Sequence, residues 1–202
     1  MLKIKMNVVK DRYHKEWLRP SEVKKLLALP DIPEKYEIWI LLMYDPALRV
    51  SESINVRVRD LDLEGQCVEI YGAKGHDMTE MQRAPCKVET LKKIIRYCQH
   101  NGLKQNDYVM FSNKSKQVHR SQVYRVVNQL AKEAGIDKTI GTHSFRRSRA
   151  QHLLDAGYPI LSVSKYLRHK RIETTLAYLN LSVNDLLREL EKIEDPLDMI
   201  LV

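Results

Sequence analysis

Apolar residues recur at the spacing of an α-helix along most of the chain. In residues 121–134, for instance, Val123, Val126, Val127 and Leu130 fall on one helical face. The same periodicity, bounded by proline and glycine, predicts further helices at about residues 21–30, 34–44, 88–99, 143–156, 159–168 and 172–180, and a short one beginning near Arg49. Ser21 is the predicted N-cap of the first helix, because its hydroxyl can accept a hydrogen bond from a free backbone N–H. The chain is therefore predicted to be mainly helical.

The periodicity changes to two after residue 56. Val68 and Ile70 alternate with less apolar neighbours, a pattern typical of a strand with one buried face. A glycine-containing turn at residues 72–75 follows, and the chain returns at residues 83–86. The sequence therefore predicts a small antiparallel β-sheet within a mainly α protein, which is an α+β fold class.

The carboxyl-terminal segment differs in charge from the rest of the chain. The whole chain carries a net charge of +8. Residues 179–202, however, hold six acidic and two basic side chains, and the apolar positions of residues 183–193 form one stripe of an amphipathic helix. We therefore predict three parts: a basic lead-in at residues 1–20, a single domain at residues 21–180, and an acidic amphipathic tail at residues 181–202.

Composition narrows the class of protein. The excess of Lys and Arg favours a polyanionic partner, since each basic group near a phosphate releases counterions. The three cysteines form no C-x-x-C pair, which favours reduced thiols, and the amino terminus does not match a signal peptide. The sequence also lacks an apolar run of about 18 residues, the length needed to cross a membrane. These features predict a cytoplasmic protein with no membrane partner.

One pair of residues has the spacing of a phosphate-binding site. His143 and Arg146 are three positions apart at a predicted helix start, so they share a face near free backbone N–H groups. A guanidinium there can hold two phosphate oxygens while the imidazole donates or exchanges a proton. Taken singly, such features have ordinary explanations: the pair as a solvated helix terminus, Tyr178 as a core tyrosine, and His169 as a cap of the helix before it.

Taken together, these residues resemble the signature of the tyrosine recombinase family, of the phage integrase type. The family pattern T-H-x-[LF]-R, L-x-H and T-T-x-x-Y matches residues 142–146, 167–169 and 174–178. Residues 47–52, A-L-R-V-S-E, are similar to the family's arginine box, G-L-R-[IV]-S-E. Lys74 matches the lysine of the family's β-hairpin.

The resemblance covers about residues 20–180 and implies a fold, a reaction and a set of site residues. The implied fold is the DNA breaking-rejoining catalytic domain. The implied reaction is site-specific recombination or integration of double-stranded DNA through a 3′-phosphotyrosyl intermediate. The implied catalytic residues are Tyr178 as the nucleophile, Arg49 and Arg146 as the phosphate clamp, His143 as an aid to proton removal, His169 as a donor to the phosphate, and Lys74 as the proton donor to the leaving 5′-hydroxyl.

No cofactor and no metal are expected. Because one phosphate ester replaces another, rejoining needs neither a nucleotide nor a ligase. The sequence accordingly contains no P-loop and no clustered Asp, Glu and His set of the two-metal type.

Basic residues outside the motifs are candidates for DNA contact. They are Arg147, Arg120, Lys116, Arg168 and Lys170, and for each of them a solvated face is an equal alternative. Arg149 is similarly expected to contact DNA backbone or solvent. The hairpin loop after Lys74 is long, so Lys87, Lys92 and Lys93 are alternatives to that lysine.

Two other functions and two assemblies stay open. A type IB topoisomerase uses related chemistry to relax DNA, and a non-cleaving DNA-binding accessory protein could keep the same fold.

Members of the family act as tetramers, so the tail is expected either to dock on a neighbouring subunit or to pack on its own domain. About 48 residues precede Arg49, so the chain is either a minimal integrase or a catalytic fragment whose DNA-clamping domain lies elsewhere.

Overall fold

The computed structural model describes most of the predicted domain. The described residues are 17–71, 80–112, 115–141 and 143–179, with the backbone alone at 176–179. The expectations for the basic lead-in before residue 17, for Lys74 and for the tail lie outside these residues. The described part is helical with one small sheet, as the sequence predicts.

Helices make up most of the described chain. In order they are α1 (Pro20–Leu27), α2 (Glu34–Tyr44), α3 (Val50–Ser53), α4 (Val88–His100), α5 (Arg120–Glu133), α6 (Ser144–Asp155), α7 (Ile160–Tyr166) and α8 (Ile172–Leu179). The bounds agree with the predicted ones to within one or two residues, except at the end of α1. Within the described ranges, none of the helices has the length and apolar character needed to cross a membrane.

The start of α1 differs from its prediction. Arg19 is the N-cap, and Pro20 occupies the first helical position, where its fixed φ suits the helix. The Glu22 carboxylate accepts the backbone N–H of Arg19 at 2.6 Å and binds Lys138 at 2.7 Å. The prediction that Ser21 caps the helix is therefore wrong, because Pro20 begins the helix and Glu22 closes its first turn.

The sheet has three antiparallel strands in the order β1 (Leu61–Asp62), β2 (Cys67–Tyr71) and β3 (Met81–Pro85). Val68 pairs with Ala84, and both side chains are fully buried. The hairpin of β2 and β3 is therefore confirmed. β1 was not predicted, because two residues are too few to show an alternation.

Two apolar clusters hold these elements together. The larger one joins α2, α4, α5 and β2 and includes the fully buried Trp39, Leu91 and Val68. The smaller one consists of Ala47, Ala150, Leu153, Val163 and Leu167. Burying a Leu or Val side chain contributes about 2 kcal/mol. The smaller cluster therefore fixes the loop before α3 relative to α6 and α7, the elements that carry the candidate residues.

Candidate active site

The loop at residues 45–47 is held by side chains from α6, from α7 and from the turn after α7. Each of its three consecutive carbonyl oxygens accepts a hydrogen bond; the pairs are Asp45 with the Tyr166 hydroxyl, Pro46 with Arg168 Nη1 at 3.3 Å, and Ala47 with Arg146 Nη1 at 2.7 Å. Ala47 has φ +50°, a left-handed conformation that costs a non-glycine residue about 1 kcal/mol. The three hydrogen bonds stabilise this turn, and the turn places Arg49 at the start of α3.

Arg49 is the N-cap of α3 and the first predicted phosphate ligand. Glu52, three residues later, accepts the backbone N–H of Arg49 at 2.8 Å and its Nη1 at 2.5 Å. The Arg49 side chain is 21% exposed, whereas that of Glu52 is 5% exposed. The carboxylate therefore holds one edge of the guanidinium from the protein interior and leaves Arg49 partly open to solvent.

The Glu52 carboxylate is shared by three arginines. Besides Arg49, Arg168 Nη2 lies 2.9 Å and Arg146 Nη1 lies 3.9 Å from Oε2. Burial alone raises the pKa of Glu52. The net pKa is nevertheless below its ordinary value, because the charge of Arg168 lowers it most, followed by the Arg49 N–H and the charges of Arg146 and Arg49. Glu52 is therefore ionised at neutral pH, and the cluster holds three positive charges and one negative charge.

Arg146 is almost fully buried, with 1% of its side chain exposed. It lies in the first turn of α6, where its Nη1 donates to the Ala47 carbonyl and its Nη2 to the Leu167 carbonyl. These bonds fix the plane of the guanidinium and connect α6 with the arginine-box loop and the end of α7.

His143 is the N-cap of α6. The segment before it is fixed by Asn128 of α5, which donates to the Ile140 carbonyl at 2.9 Å and accepts the Ile140 N–H at 2.8 Å. The ring is exposed, yet partial desolvation and the charges of Arg146 and Arg49 lower the pKa of His143. At neutral pH the ring is therefore a neutral imidazole that can accept a proton.

His169 follows a left-handed turn at the end of α7. Arg168 has φ +56° and donates its N–H to the Lys165 carbonyl at 2.9 Å, while the N–H of His169 donates to the Ser164 carbonyl at 3.1 Å. This is the Schellman arrangement, which ends many helices. The His169 ring is held separately, with Nδ1 2.8 Å from the Thr175 hydroxyl in α8. The backbone of His169 thus completes the cap, and its ring faces α8.

The two imidazoles respond to the same charges. Burial, together with Arg146, Arg49 and Arg168, lowers the pKa of His169 to about 4 from an ordinary value of 6.5. Arg146 and Arg49 also lower the pKa of His143. The contacts agree: Arg49 and Arg146 share Glu52, His143 caps the helix that carries Arg146, and Arg146 Nη2 donates to the Leu167 carbonyl two residues before His169. Arg49, His143, Arg146 and His169, which are far apart in the chain, are therefore gathered at one place.

We expect His169 to make the protein less stable as the pH falls from about 6.5 to about 4. Below 6.5 the unfolded chain protonates this ring, whereas the folded protein keeps it neutral until about pH 4. The unfolded state thus binds more protons in this window, and stability decreases with falling pH. Urea unfolding of the wild type and of H169Q at several pH values measures this effect. The free energy of unfolding of the wild type should fall relative to that of H169Q as the solution is acidified. Parallel pH dependences of the two free energies contradict the expectation.

Tyr178 lies near the end of α8. This helix packs against α6 and α7. Thr175, one helical turn before Tyr178, is fully buried and holds His169. The backbone of α8 therefore brings Tyr178 to within about 5 Å, along the helix axis, of the residue that positions His169.

The candidates for DNA contact differ in how far their side chains are exposed. Arg120, Lys116 and Lys170 are exposed, and Arg147 is half-buried. Arg120 lies near enough to His143 to lower the pKa of that ring. For Arg120, Lys116, Lys170 and Arg147, contact with DNA stays a prediction.

The prediction of DNA contact is wrong for Arg168. Its side chain is 5% exposed and binds Glu52 inside the protein. The expectation for Arg149 is also wrong: its Nη2 lies 3.2 Å from Asp45 Oδ1, and its guanidinium lies over the rings of Tyr44 and Tyr166. In both cases a buried carboxylate draws the arginine inward. Sequence reasoning likewise missed Glu52 and Thr175 as site residues, although the position of Glu52 three residues after an N-cap is a capping signal.

The described residues thus form a helical domain with a small hairpin, in which arginines and histidines from distant parts of the chain lie close together. Residues 16–185 match the phage integrase family, and the chain belongs to this family. The family predicted from the motifs is confirmed.

Relatives and solved structures agree with this assignment. A tyrosine recombinase of Pseudothermotoga lettingae is 33% identical over 181 residues, which are 86% of this chain and 62% of the relative. The crystal structure of XerA recombinase has a TM-score of 0.75 at 23% identity and covers 89% of this chain and 65% of its own. XerH site-specific recombinase bound to its difH substrate has a TM-score of 0.68 at 20% identity, over 89% of this chain and 53% of its own. The predicted fold is therefore confirmed, and this chain spans less than two thirds of the length of each of these proteins.

Proposed function

We propose that this chain is the catalytic domain of a tyrosine-type site-specific DNA recombinase that cuts and rejoins DNA through a 3′-phosphotyrosine at Tyr178. One observation carries the proposal. Arg49, Arg146 and Arg168 share the Glu52 carboxylate, and His169, the neighbour of Arg168, contacts Thr175 of α8 one helical turn before Tyr178. Two guanidinium groups can stabilise the charge that develops on a phosphodiester, neutral imidazoles can accept or donate a proton, and a phenol can act as the nucleophile.

The charge of the cluster suits the transition state. The three arginines and Glu52 leave two net positive charges beside the two imidazoles. A phosphodiester carries one negative charge and gains a second as an oxygen attacks in line. Fixed positive groups lower this barrier because they need no reorganisation when the charge develops.

Atoms and protons balance within the reaction. The Tyr178 oxygen forms a bond to phosphorus, the bond from phosphorus to the 5′-oxygen breaks, and the tyrosine proton passes to a base such as neutral His143. The leaving 5′-oxygen takes a proton, which the family resemblance assigns to Lys74. For His169 to donate from Nε2 to the phosphate, its Nδ1 must accept the Thr175 hydroxyl proton, an arrangement that their 2.8 Å separation permits. Rejoining reverses these steps.

Double-stranded DNA is the proposed partner. XerH, whose fold is similar, was solved with its difH substrate. In this chain, we assign phosphate contacts to Arg120, Lys116, Lys170 and Arg147, which position the duplex without specifying its sequence. The tail at residues 181–202 is proposed to connect subunits of a DNA-bound tetramer, and residues 21–180 to form the catalytic domain.

A nicked DNA pool tests the proposal without knowledge of the target site. Each duplex has a randomised core and one nick, and the position of the nick varies across the pool. Cleavage a few nucleotides 5′ of the nick releases a short 5′-hydroxyl fragment, which diffuses away, so that the covalent complex accumulates. We expect complexes that survive detergent and heat and that are enriched in one sequence. DNA that binds but never becomes covalently attached contradicts the proposal. Covalent complexes without any sequence enrichment would instead indicate a topoisomerase-like enzyme.

A further inference from the structure

Arg168 occupies a backbone position that normally favours glycine. It is the left-handed residue of the Schellman turn after α7, with φ +56°. A side chain at such a position strains the backbone, because its Cβ approaches the following carbonyl oxygen. Contacts made by the arginine side chain can offset this cost.

The Arg168 guanidinium reaches from this turn to the arginine box. Its Nη2 lies 2.9 Å from Glu52 Oε2, and its Nη1 lies 3.3 Å from the Pro46 carbonyl and 3.4 Å from the Tyr166 carbonyl. With 5% of the side chain exposed, these contacts are shielded from water. Arg168 thus connects the segment that carries His169 with the segment that carries Arg49.

We propose that Arg168 is a positioning residue that orients the Glu52 carboxylate and thereby sets the place of the Arg49 guanidinium. This inference rests on the proposed function. Oε2 accepts Arg168 Nη2 at 2.9 Å as well as the Arg49 backbone N–H at 2.8 Å, so that Oε1 is directed to Arg49 Nη1 at 2.5 Å. Arg146 Nη1, at 3.9 Å, is held off Oε2 and stays on the Ala47 carbonyl.

The physical reason lies in the competition for one carboxylate. Without Arg168, a buried Glu52 has two cationic partners, and both are needed at the phosphate. The carboxylate can then turn toward Arg146, whose Nη1 lies 3.9 Å away, because a buried ion pair is weakly screened. Such a turn moves Oε1, and with it the Arg49 Nη1 that Oε1 holds at 2.5 Å. Arg168, which binds Oε2 from the protein interior, keeps the carboxylate in the orientation that holds Arg49 on Oε1.

Two variants and a matched control test the inference. Arg168→Gly removes the guanidinium and also relieves the left-handed strain, whereas Arg168→Lys keeps the charge and the strain. Asp31→Gly is the control, since Asp31 is an exposed residue with φ +60°, remote in the sequence from every site residue. DNA affinity and the single-turnover rate of covalent complex formation at saturating DNA are measured for each protein, with thermal unfolding as a check of folding.

We expect Arg168→Gly to bind DNA as the wild type does but to react roughly 10- to 100-fold more slowly, the effect of removing one charge-assisted hydrogen bond that holds a reacting group. Arg168→Lys should react at an intermediate rate, and Asp31→Gly at the wild-type rate. Wild-type rates in Arg168→Gly, or a lysine variant no faster than the glycine variant, overturn the inference. If Arg168→Gly does not fold, a wild-type rate in Arg168→Lys is sufficient to overturn the inference. Absence of a covalent complex in the wild type overturns the proposed function, and this inference with it.

Discussion

Replacing Tyr178 by phenylalanine is expected to abolish the covalent protein–DNA complex while folding and DNA binding persist. The substitution removes one hydroxyl group, the proposed attacking oxygen, and changes nothing else in α8. Loss of a nucleophile typically lowers an enzyme's rate by about 10⁴-fold or more. Denaturing gels of the reaction with nicked DNA measure the loss directly.

Tyr158→Phe is the matched control for this experiment. Tyr158 lies in the turn between α6 and α7 and is 54% exposed, so its hydroxyl is accessible without being part of the site. This variant should form the complex at the wild-type rate. A complex that persists in Tyr178→Phe places the nucleophile at another residue.

Replacing Glu52 by glutamine is expected to lower the free energy of unfolding by about 3 kcal/mol, the cost of leaving a buried charge without its partner. Glu52 and Arg168 are each 5% exposed and Arg146 is 1% exposed, so water compensates little for the missing carboxylate. Removing one partner of a buried ion pair typically costs about 3–5 kcal/mol. We expect the lower value because Arg49 is 21% exposed and can be solvated. Chemical denaturation at neutral pH measures the change.

Glu22→Gln offers a close comparison on the same fold. Like Glu52, Glu22 accepts the backbone N–H of an N-cap arginine and binds a basic side chain, here Lys138. Its ion pair is less buried, with exposures of 18% for Glu22 and 15% for Lys138. We expect a loss of about 1 kcal/mol for Glu22→Gln. Equal losses in the two variants would show that Glu52 acts as a helix cap and not as the counterion of the arginine cluster.

The helical part of the fold could be predicted because its signals are local. Helix α2 coincides with its predicted range, and α6 to α8 follow from apolar spacing interrupted by Gly157, Pro159 and the basic residues 168–171. β1 could not be predicted, since a two-residue strand is defined by its pairing with β2 and not by its own pattern. The cap of α1 was misassigned because Ser21 has the stronger capping preference, whereas Pro20 and Glu22 decide the geometry.

The site could be predicted only as far as its residue types. The motifs identified Arg49, Arg146, His143 and His169, and the structure gathers them. The inward direction of Arg168 could not be predicted, because in the sequence it belongs to a run of basic residues that resembles an exposed corner. Its side chain turns inward through a left-handed φ, and neither that angle nor the distant Glu52 is visible from neighbouring residues.

The identity of the residue that becomes bonded to DNA is the most direct test of the whole account. Trypsin cleaves after Arg171 and Arg188, and Tyr178 is the single tyrosine between these sites. After reaction with nicked DNA, nuclease treatment and digestion, mass spectrometry should find the residual phosphonucleotide on the peptide of residues 172–188, attached to its tyrosine. A nucleotide found on any other peptide contradicts the account.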